Sequence, residues 1–325
     1  MKMRYFSSFT GAGGFDLAVP EDWQRVGFSE IDKYANMVLR YRFPDVKNYG
    51  DINAIKWDEV PDFDILFGGT PCQDLSLAGK RKGLAGERSG LFFKFVEALK
   101  AKKPEYFVWE NVKGAKSSNQ GWDFAEVINQ FSEAGYSLWW QVLNAKDFGV
   151  PQNRERIFIV GFRDRSPSEV FFERENESSF SIREERAKSK TKFYNSITSK
   201  EGRRKENNFI LIPSATKNGF EVAEEGDGLS LVHIGSTTGR GRVGNKKAQA
   251  LVRSGTAYTI QNQQIRRLMP IECERLMSWS DDWTKYGIHK TGKVIEISDS
   301  QRYKMIGNGV VSNVVEWIIK NIIMG

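Results

Sequence analysis

Apolar residues along this chain follow two alternating periods. Short runs rich in β-branched and aromatic residues at 5–9, 26–32, 64–69, 106–109, 138–143 and 156–162 predict buried strands. Between them, apolar positions three and four apart predict helices over 32–43 and from 91 to 103. The second of these carries Leu91, Phe92, Phe95, Val96 and Leu99 and ends at Lys102-Lys103-Pro104. A further helix holds Phe124, Val127, Ile128 and Phe131 and stops at Gly135. Strands alternating with helices in this way predict an α/β fold built on a doubly wound, mostly parallel sheet.

The character changes after residue 170. From 173 to 232 the chain is polar, charged and weakly periodic, with a short strand predicted at 209–212, and this stretch reads as a smaller β- and loop-rich domain. Order returns at the C-terminus. Val310, Val311, Val314, Val315, Ile318, Ile319 and Ile322 keep helical spacing and predict one core helix, so the chain comes back to complete its first domain.

Composition narrows the class. With 325 residues, 40% hydrophobic content and a mean hydropathy of −0.49, the expectation is a soluble globular protein. No apolar run approaches a membrane span, and Met1-Lys2-Met3-Arg4 leads directly into strand-like sequence, so an intracellular location is expected. The net charge of +7 and pI of 9.2 favour an anionic partner. Basic residues thicken from Arg183 to Lys205, and Gly235 to Arg242 forms a glycine-rich basic stretch suited to tracking phosphates. The two cysteines, Cys72 and Cys273, make no disulfide framework, and Cys273 reads as structural.

Candidate chemistry gathers where predicted strands end. The first runs into Thr10-Gly11-Ala12-Gly13-Gly14, a glycine turn expected to open a helix and to let a ligand approach the backbone, although the spacing is not the dinucleotide fingerprint. The second ends in Glu30 and Asp32, one placed to accept a ribose hydroxyl and the other to cap the next helix. Asp51 follows as a candidate acceptor for an amino group. Cys72 stands in a turn after the third strand, before a polar stretch punctuated by glycines that reads as a lid. Glu110 ends the fourth strand, and Arg154 and Arg156 follow Gln152.

Taken in order, these motifs resemble those of the DNA (cytosine-5) methyltransferases. Phe9-Thr10-Gly11-Ala12-Gly13-Gly14 looks like the cofactor motif, Gly69-Thr70-Pro71-Cys72-Gln73 the nucleophile motif and Glu110-Asn111-Val112 the acidic motif. Gln152-Asn153-Arg154-Glu155-Arg156 matches Q-x-R-x-R, and 270–277 and 307–310 resemble the two C-terminal motifs. The resemblance implies a Rossmann-like catalytic domain over 1–180 and 271–325 and a target recognition domain over 181–270.

It further implies that Cys72 attacks C6 of a flipped-out cytosine, that Glu110 serves N3, and that Arg156 lies on the O2 side with Arg154 framing the site. S-adenosylmethionine would lie against Phe9, Thr10, Gly11, Gly13 and Gly14, with Glu30 on the ribose, Asp51 near the adenine amino group, Asn308 near the methionine end, and Ile31, Ile52 and Pro71 also in the cofactor site. No metal is implied. Ser76, Lys80 and Arg81 would meet phosphates of double-stranded DNA, Arg240 and Arg242 the target bases, and Thr259 the pocket. A cytoplasmic monomer acting on the nucleoid, without a regulatory domain and with room for a cognate restriction endonuclease as functional partner, completes the expectation. Three positions depart from the pattern: Ser7 in place of an acid, Gly309 in place of a small hydroxyl residue or alanine, and Ile31 in place of an aromatic. A tRNA cytosine-5 methyltransferase would carry a Cys-Phe-Thr tripeptide that is absent here. A non-catalytic DNA-binding regulator would have lost Cys72, Glu110 or the arginines, and a nicotinamide oxidoreductase would need a better fingerprint.

Overall fold

The computed structural model describes residues 2–71, 90–164, 209–214, 216, 220–230, 243–251, 257–262 and 264–325. The chain builds β1 (Arg4–Ser8), β2 (Gln24–Ser29), α1 (Lys33–Arg42), β3 (Ile65–Gly68), α2 (Gly90–Lys102), β4 (Tyr106–Val112), α3 (Trp122–Glu133), β5 (Ser137–Asn144), β6 (Gln152–Asn153) and β7 (Glu155–Phe162). Six of these strands form one sheet in the order β2-β1-β3-β4-β7-β5. β2, β1, β3 and β4 run parallel, and β7 lies antiparallel between β4 and β5.

The period of two sorts side chains onto opposite faces of this sheet. Tyr5, Phe67, Val108, Phe158 and Val160 join one apolar cluster, whereas Phe6, Leu66, Phe107, Trp109 and Ile159 join the other. Helices α2 and α3 cover the second face through Phe92, Phe95, Leu99, Val127 and Phe131. Strands buried on both sides read as continuous apolar runs, which is why β3 and β7 show little alternation in sequence. At α1 the expected cap is present, with Asp32 Oδ1 accepting from the Tyr34 and Ala35 amides.

The remaining elements are β8 (Phe209–Pro213), β9 (Phe220–Glu224), β10 (Gly228–Ser230), β11 (Ala248–Gln249), β12 (Ala257–Gln261), β13 (Gln264–Arg267), α4 (Pro270–Leu276), β14 (Tyr286–Ile288), β15 (Val294–Glu296), α5 (Asp299–Asn308) and α6 (Ser312–Ile318). β8 pairs with β9, and β10, β12 and β13 form a second small antiparallel sheet. Ile212, Ala223, Leu229 and Ile260 make a separate apolar cluster there. β11 returns to the main body by pairing with β6. The helices α4, α5 and α6 then pack on the first face of the large sheet.

Two local expectations are corrected. Residues 11–18 form successive turns instead of a helix, because positive φ at Phe9, Gly11 and Gly13 keeps redirecting the chain and Asp16 is drawn inward to Arg25 and Thr10. The C-terminal helix starts later than expected: α5 ends at Asn308, Gly309 and Val311 are extended, and α6 begins at Ser312 and runs on into Ile319–Ile323, a π turn.

A buried ion pair fastens this C-terminal layer. The Glu274 side chain is fully buried and accepts from both Thr284 donors and from Arg302 at 3.1 Å through each oxygen, while Arg302 also reaches Asp282. Replacing Arg302 with Met strands a desolvated carboxylate, so Arg302→Met is expected to cost about 3–5 kcal/mol in urea unfolding. Glu274→Leu combined with Arg302→Met is expected to recover part of that loss.

Candidate active site

In a doubly wound sheet, ligands sit outside the carboxyl ends of the strands, where neighbouring connections leave in opposite directions. Here that point lies between β1 and β3, since the chain passes from β1 to β2 on one side and later enters β3 on the other. Four strand ends therefore meet there: Phe9 to Gly11 after β1, Glu30 after β2, Gly69 to Pro71 after β3, and Glu110 in β4. Because Gly68 pairs with Trp109, Glu110 projects one residue beyond the end of β3.

The reversed strand β7 completes the group. Running against β4, it brings its first residues to the end where β4 finishes, and Arg156 pairs with Val112. Its Nε lies 3.1 Å from Glu110 Oε1. Burial pushes the Glu110 carboxyl above the usual range, and the charges of Arg156 and Arg154 pull it back. β3 approaches from the other side, so a Cβ on Gly69 would sit 3.0 Å from Glu110 Oε2.

Arg154 faces elsewhere. It is almost fully buried and donates to the carbonyls of Leu251, Gly307 and Gly309, holding the C-terminal loop under the sheet edge. Gln152 works alongside it, with Nε2 donating to the Leu276 carbonyl and Oε1 accepting from the Leu251 amide. Glu155 pairs with Lys113 on the surface.

Around the first turn, Glu30 accepts from the Gly11 amide at 2.7 Å, the Ile31 amide at 2.8 Å and the Asp32 amide at 2.7 Å. Burial raises its carboxyl pKa, and these amides oppose the rise. Gly11 has φ +57°, and a Cβ there would meet nothing within 4 Å among the described residues, which leave open space in front of it. Ile31 is 73% exposed. Asp51 Oδ1 accepts from the Asn53 amide and side chain, and among the described residues its Oδ2 has no partner. Ile52 is packed into the second apolar cluster, and Asn308 is exposed at the end of α5. The Thr10 hydroxyl is spent inside the turn, between Ser7 and Asp16.

Two of the three departures noted in the sequence, at Ser7 and Gly309, have local reasons. Asp16, paired with Arg25 at 2.6 Å, supplies through Thr10 the acid that Ser7 lacks. Gly309 is required by Trp279, since a Cβ at 309 would lie 2.4 Å from the indole, whose N–H donates to the Val310 carbonyl. The same indole abuts Gly14, and Ser312 Oγ donates to the Gly14 carbonyl. Ile31 is an apolar side chain presented to solvent beside Glu30.

Sequence reasoning missed Asp16, Gln152 and Trp279 as parts of the site. Gln152 was visible as the first residue of its motif, but a buried Trp in a helix-to-loop segment carries no signal of its contact. Cys72, Ser76, Lys80, Arg81, Arg240 and Arg242 lie outside the described residues, as do the basic stretch from Arg183 to Lys205 and the loop after Cys72. Cys273 is buried and its thiol is pushed up to about 12, chiefly by desolvation. Thr259 lines a cavity of about 240 Å³ with Pro151, Lys246, Lys247, Tyr258 and Arg275.

The tight seat of Trp279 makes a measurable demand. Gly309→Ala is expected to cost about 1–3 kcal/mol by overpacking, read by chemical denaturation. Combined with Trp279→Phe, which frees room, it is expected to lose less than the two single changes added together.

The chain is similar to known proteins in sequence and in fold. A family model described as C-5 cytosine-specific DNA methylase matches residues 3–324. The type II methyltransferase M.HhaI of Haemophilus parahaemolyticus is 33% identical over 326 residues, covering 98% of this chain and 94% of that protein. The orphan methyltransferase M.SPRI of Bacillus phage SPR is 44% identical over 168 residues, covering 50% of this chain and 38% of its own. With several such relatives the match spans half of their length or less. Among solved structures, the Entamoeba histolytica methyltransferase EhMeth shares the fold, with a TM-score of 0.63 at 17% identity over 100% of this chain and 98% of that one. The chain belongs to the C-5 cytosine-specific DNA methylase family.

Proposed function

We propose that the protein is a sequence-specific DNA cytosine-5 methyltransferase of the modification type, using S-adenosylmethionine. The observation that carries this reading is the Glu110 carboxyl, desolvated and paired with Arg156, close against the Gly69 to Pro71 segment that leads in sequence to Cys72. An acid and a guanidinium at one sheet edge, with a thiol next in sequence after Pro71, suit addition to a cytosine ring.

The residues around the first turn fit the cofactor. Open space faces Gly11, Glu30 can accept further hydrogen bonds beside those from the backbone, Asp51 has a free oxygen among the described residues, and Ile31 offers an apolar cover for an aromatic ring. Glu30 would hold the ribose, Ile31, Asp51 and Ile52 the adenine, and Phe9, Thr10, Gly11, Gly13, Gly14, Pro71 and Asn308 the rest. When bound, S-adenosylmethionine supplies an electrophilic methyl group on a sulfonium.

Cys72 Sγ, as thiolate, bonds to C6 of the target cytosine, and Glu110 passes its proton to N3 as charge enters the ring. Arg156 orients the Glu110 carboxyl and offers donors on the O2 side. Arg154 acts on the same carboxyl through its charge while it fixes the 307–309 loop. After C5 has gained the methyl group, loss of the C5 proton to a base lets the C6–S bond break, which returns Cys72 as thiolate and the N3 proton to Glu110. A paired base cannot reach such a site, so the cytosine is flipped out of double-stranded DNA.

Residues 181–270 form the target recognition domain in this reading, inserted into a catalytic domain of 1–180 and 271–325. Arg240 and Arg242 would read bases there, Ser76, Lys80 and Arg81 would hold phosphates, and Thr259 would face the flipped nucleotide. The net charge of +7 suits a DNA partner. Among the described residues no helix is long and apolar enough to cross a membrane. The protein acts as a monomer in the cytoplasm, on the nucleoid, and a cognate restriction endonuclease would be a functional partner.

Tritium transfer from labelled cofactor tests the reading. Wild type is expected to label duplex DNA as 5-methylcytosine and to leave tRNA unlabelled, whereas Cys72→Ala binds DNA without turnover. DNA with 5-fluorocytosine at the target is expected to trap an adduct at Cys72. No label on diverse duplex DNA would overturn the assignment. The raised Glu110 carboxyl keeps its proton to higher pH than an ordinary acid, so single-turnover rates are expected to fall as pH rises through its pKa. Glu110→Gln should lower the rate by about 10²–10⁴ and remove that descending limb.

A further inference from the structure

Thr70 is the second residue before Cys72, and it is buried. Its hydroxyl accepts from the Trp109 indole N–H at 3.2 Å and from Asn111 Nδ2 at 3.4 Å, and Asn111 also reaches the Thr70 carbonyl at 3.3 Å. Trp109 is fully buried in β4, one residue before Glu110. The indole also has a second neighbour of consequence. Its ring meets Phe92 edge-on with centroids 6.0 Å apart, and Phe92 lies in the first turn of α2, immediately after residues 72–89. Phe131 of α3 closes the same aromatic group, 6.0 Å from Trp109 and 5.3 Å from Phe92.

One indole thus touches the chain on both sides of residues 72–89, by its N–H at Thr70 and by its ring at Phe92. We infer that Trp109 is a positioning residue whose N–H bond to Thr70 fixes the Gly69 to Pro71 segment, which leads in sequence to Cys72, beside Glu110. Proximity of this kind acts on the reacting geometry and not on binding, since neither Trp109 nor Thr70 has an exposed surface to offer a ligand. The inference rests on the proposed function for its kinetic readout, and on thiol chemistry alone for its second.

The test compares Trp109→Phe, which keeps a ring against Phe92 but removes the N–H, with Thr70→Val, which keeps the shape but removes the acceptor, and with the pair combined. In single-turnover methylation each single variant is expected to lose about tenfold in rate, with cofactor and DNA dissociation constants unchanged. The double variant should lose no more than Thr70→Val alone, because the bond that Trp109→Phe breaks is one of the two that the Thr70 hydroxyl accepts. Thr70→Ser should return the rate to that of wild type. Rates equal to wild type, additive losses, a loss expressed only as weaker binding, or no rescue by Thr70→Ser would each overturn the inference. Alkylation by iodoacetamide is the second readout. It reports Cys72, since Cys273 is buried with its thiol pushed up to about 12. The Cys72 alkylation rate should change in the same two single variants and recover in Thr70→Ser, and its constancy across all of them would equally overturn the inference. If wild type fails to label DNA, the proposed function falls and the alkylation series alone decides this one.

Discussion

A carboxyl group buried at the end of a strand needs a cation beside it or a proton on it, and Glu110 has access to both. The placement of the active site depends on this constraint. A wholly parallel sheet would put the start of the strand beside β4 at the far end of the molecule. Only because β7 runs backwards do Arg154 and Arg156 arrive at the edge where β4 finishes. The reversal also divides their work, since positions two apart there differ in surroundings. Arg156 meets the carboxyl, and Arg154 disappears into a nest of backbone carbonyls.

The same edge is closed from behind by the end of the chain. Trp279 fills the space between Gly14 and Gly309, Trp283 donates to the Ala12 carbonyl, and Ser312 to the Gly14 carbonyl. The glycines of the first turn thus serve two sides, with Gly11 open toward the crevice and Gly14 closed against an indole. A side chain at Gly14 would collide with protein. At Gly11 it would instead suffer the left-handed backbone and fill the open space.

Much of this arrangement was legible in the sequence because it is local. The strands, the helices, the Asp32 cap and the position of Glu110 at a carboxyl edge all follow from periodicity and from short polar signals. Residues that act across the fold were not legible. Nothing near Trp279 announces Gly309, and nothing near Thr70 announces Trp109, since each pair is joined only when strands or layers meet. The C-terminal helix shows the limit of periodicity, because the stripe at 310–322 says which side chains are buried but not that the helix begins only at Ser312, after an extended Val311. Departures from the family pattern at Ser7 and Gly309 look like defects until Asp16 and Trp279 are placed beside them.

The bond from Ser312 to Gly14 joins residues 298 positions apart, and that from Trp283 to Ala12 joins residues 271 apart. On the ribosome the first turn emerges long before its supports. At about 5–20 residues per second, it waits many seconds for them. Strands β1 to β7 can pair beforehand, but contacts of such long range close late because the intervening chain must first be ordered. Synthesis itself therefore delays completion of this crevice until the final helices have docked, and an unfinished chain carries every motif of the site except the ones that hold it together.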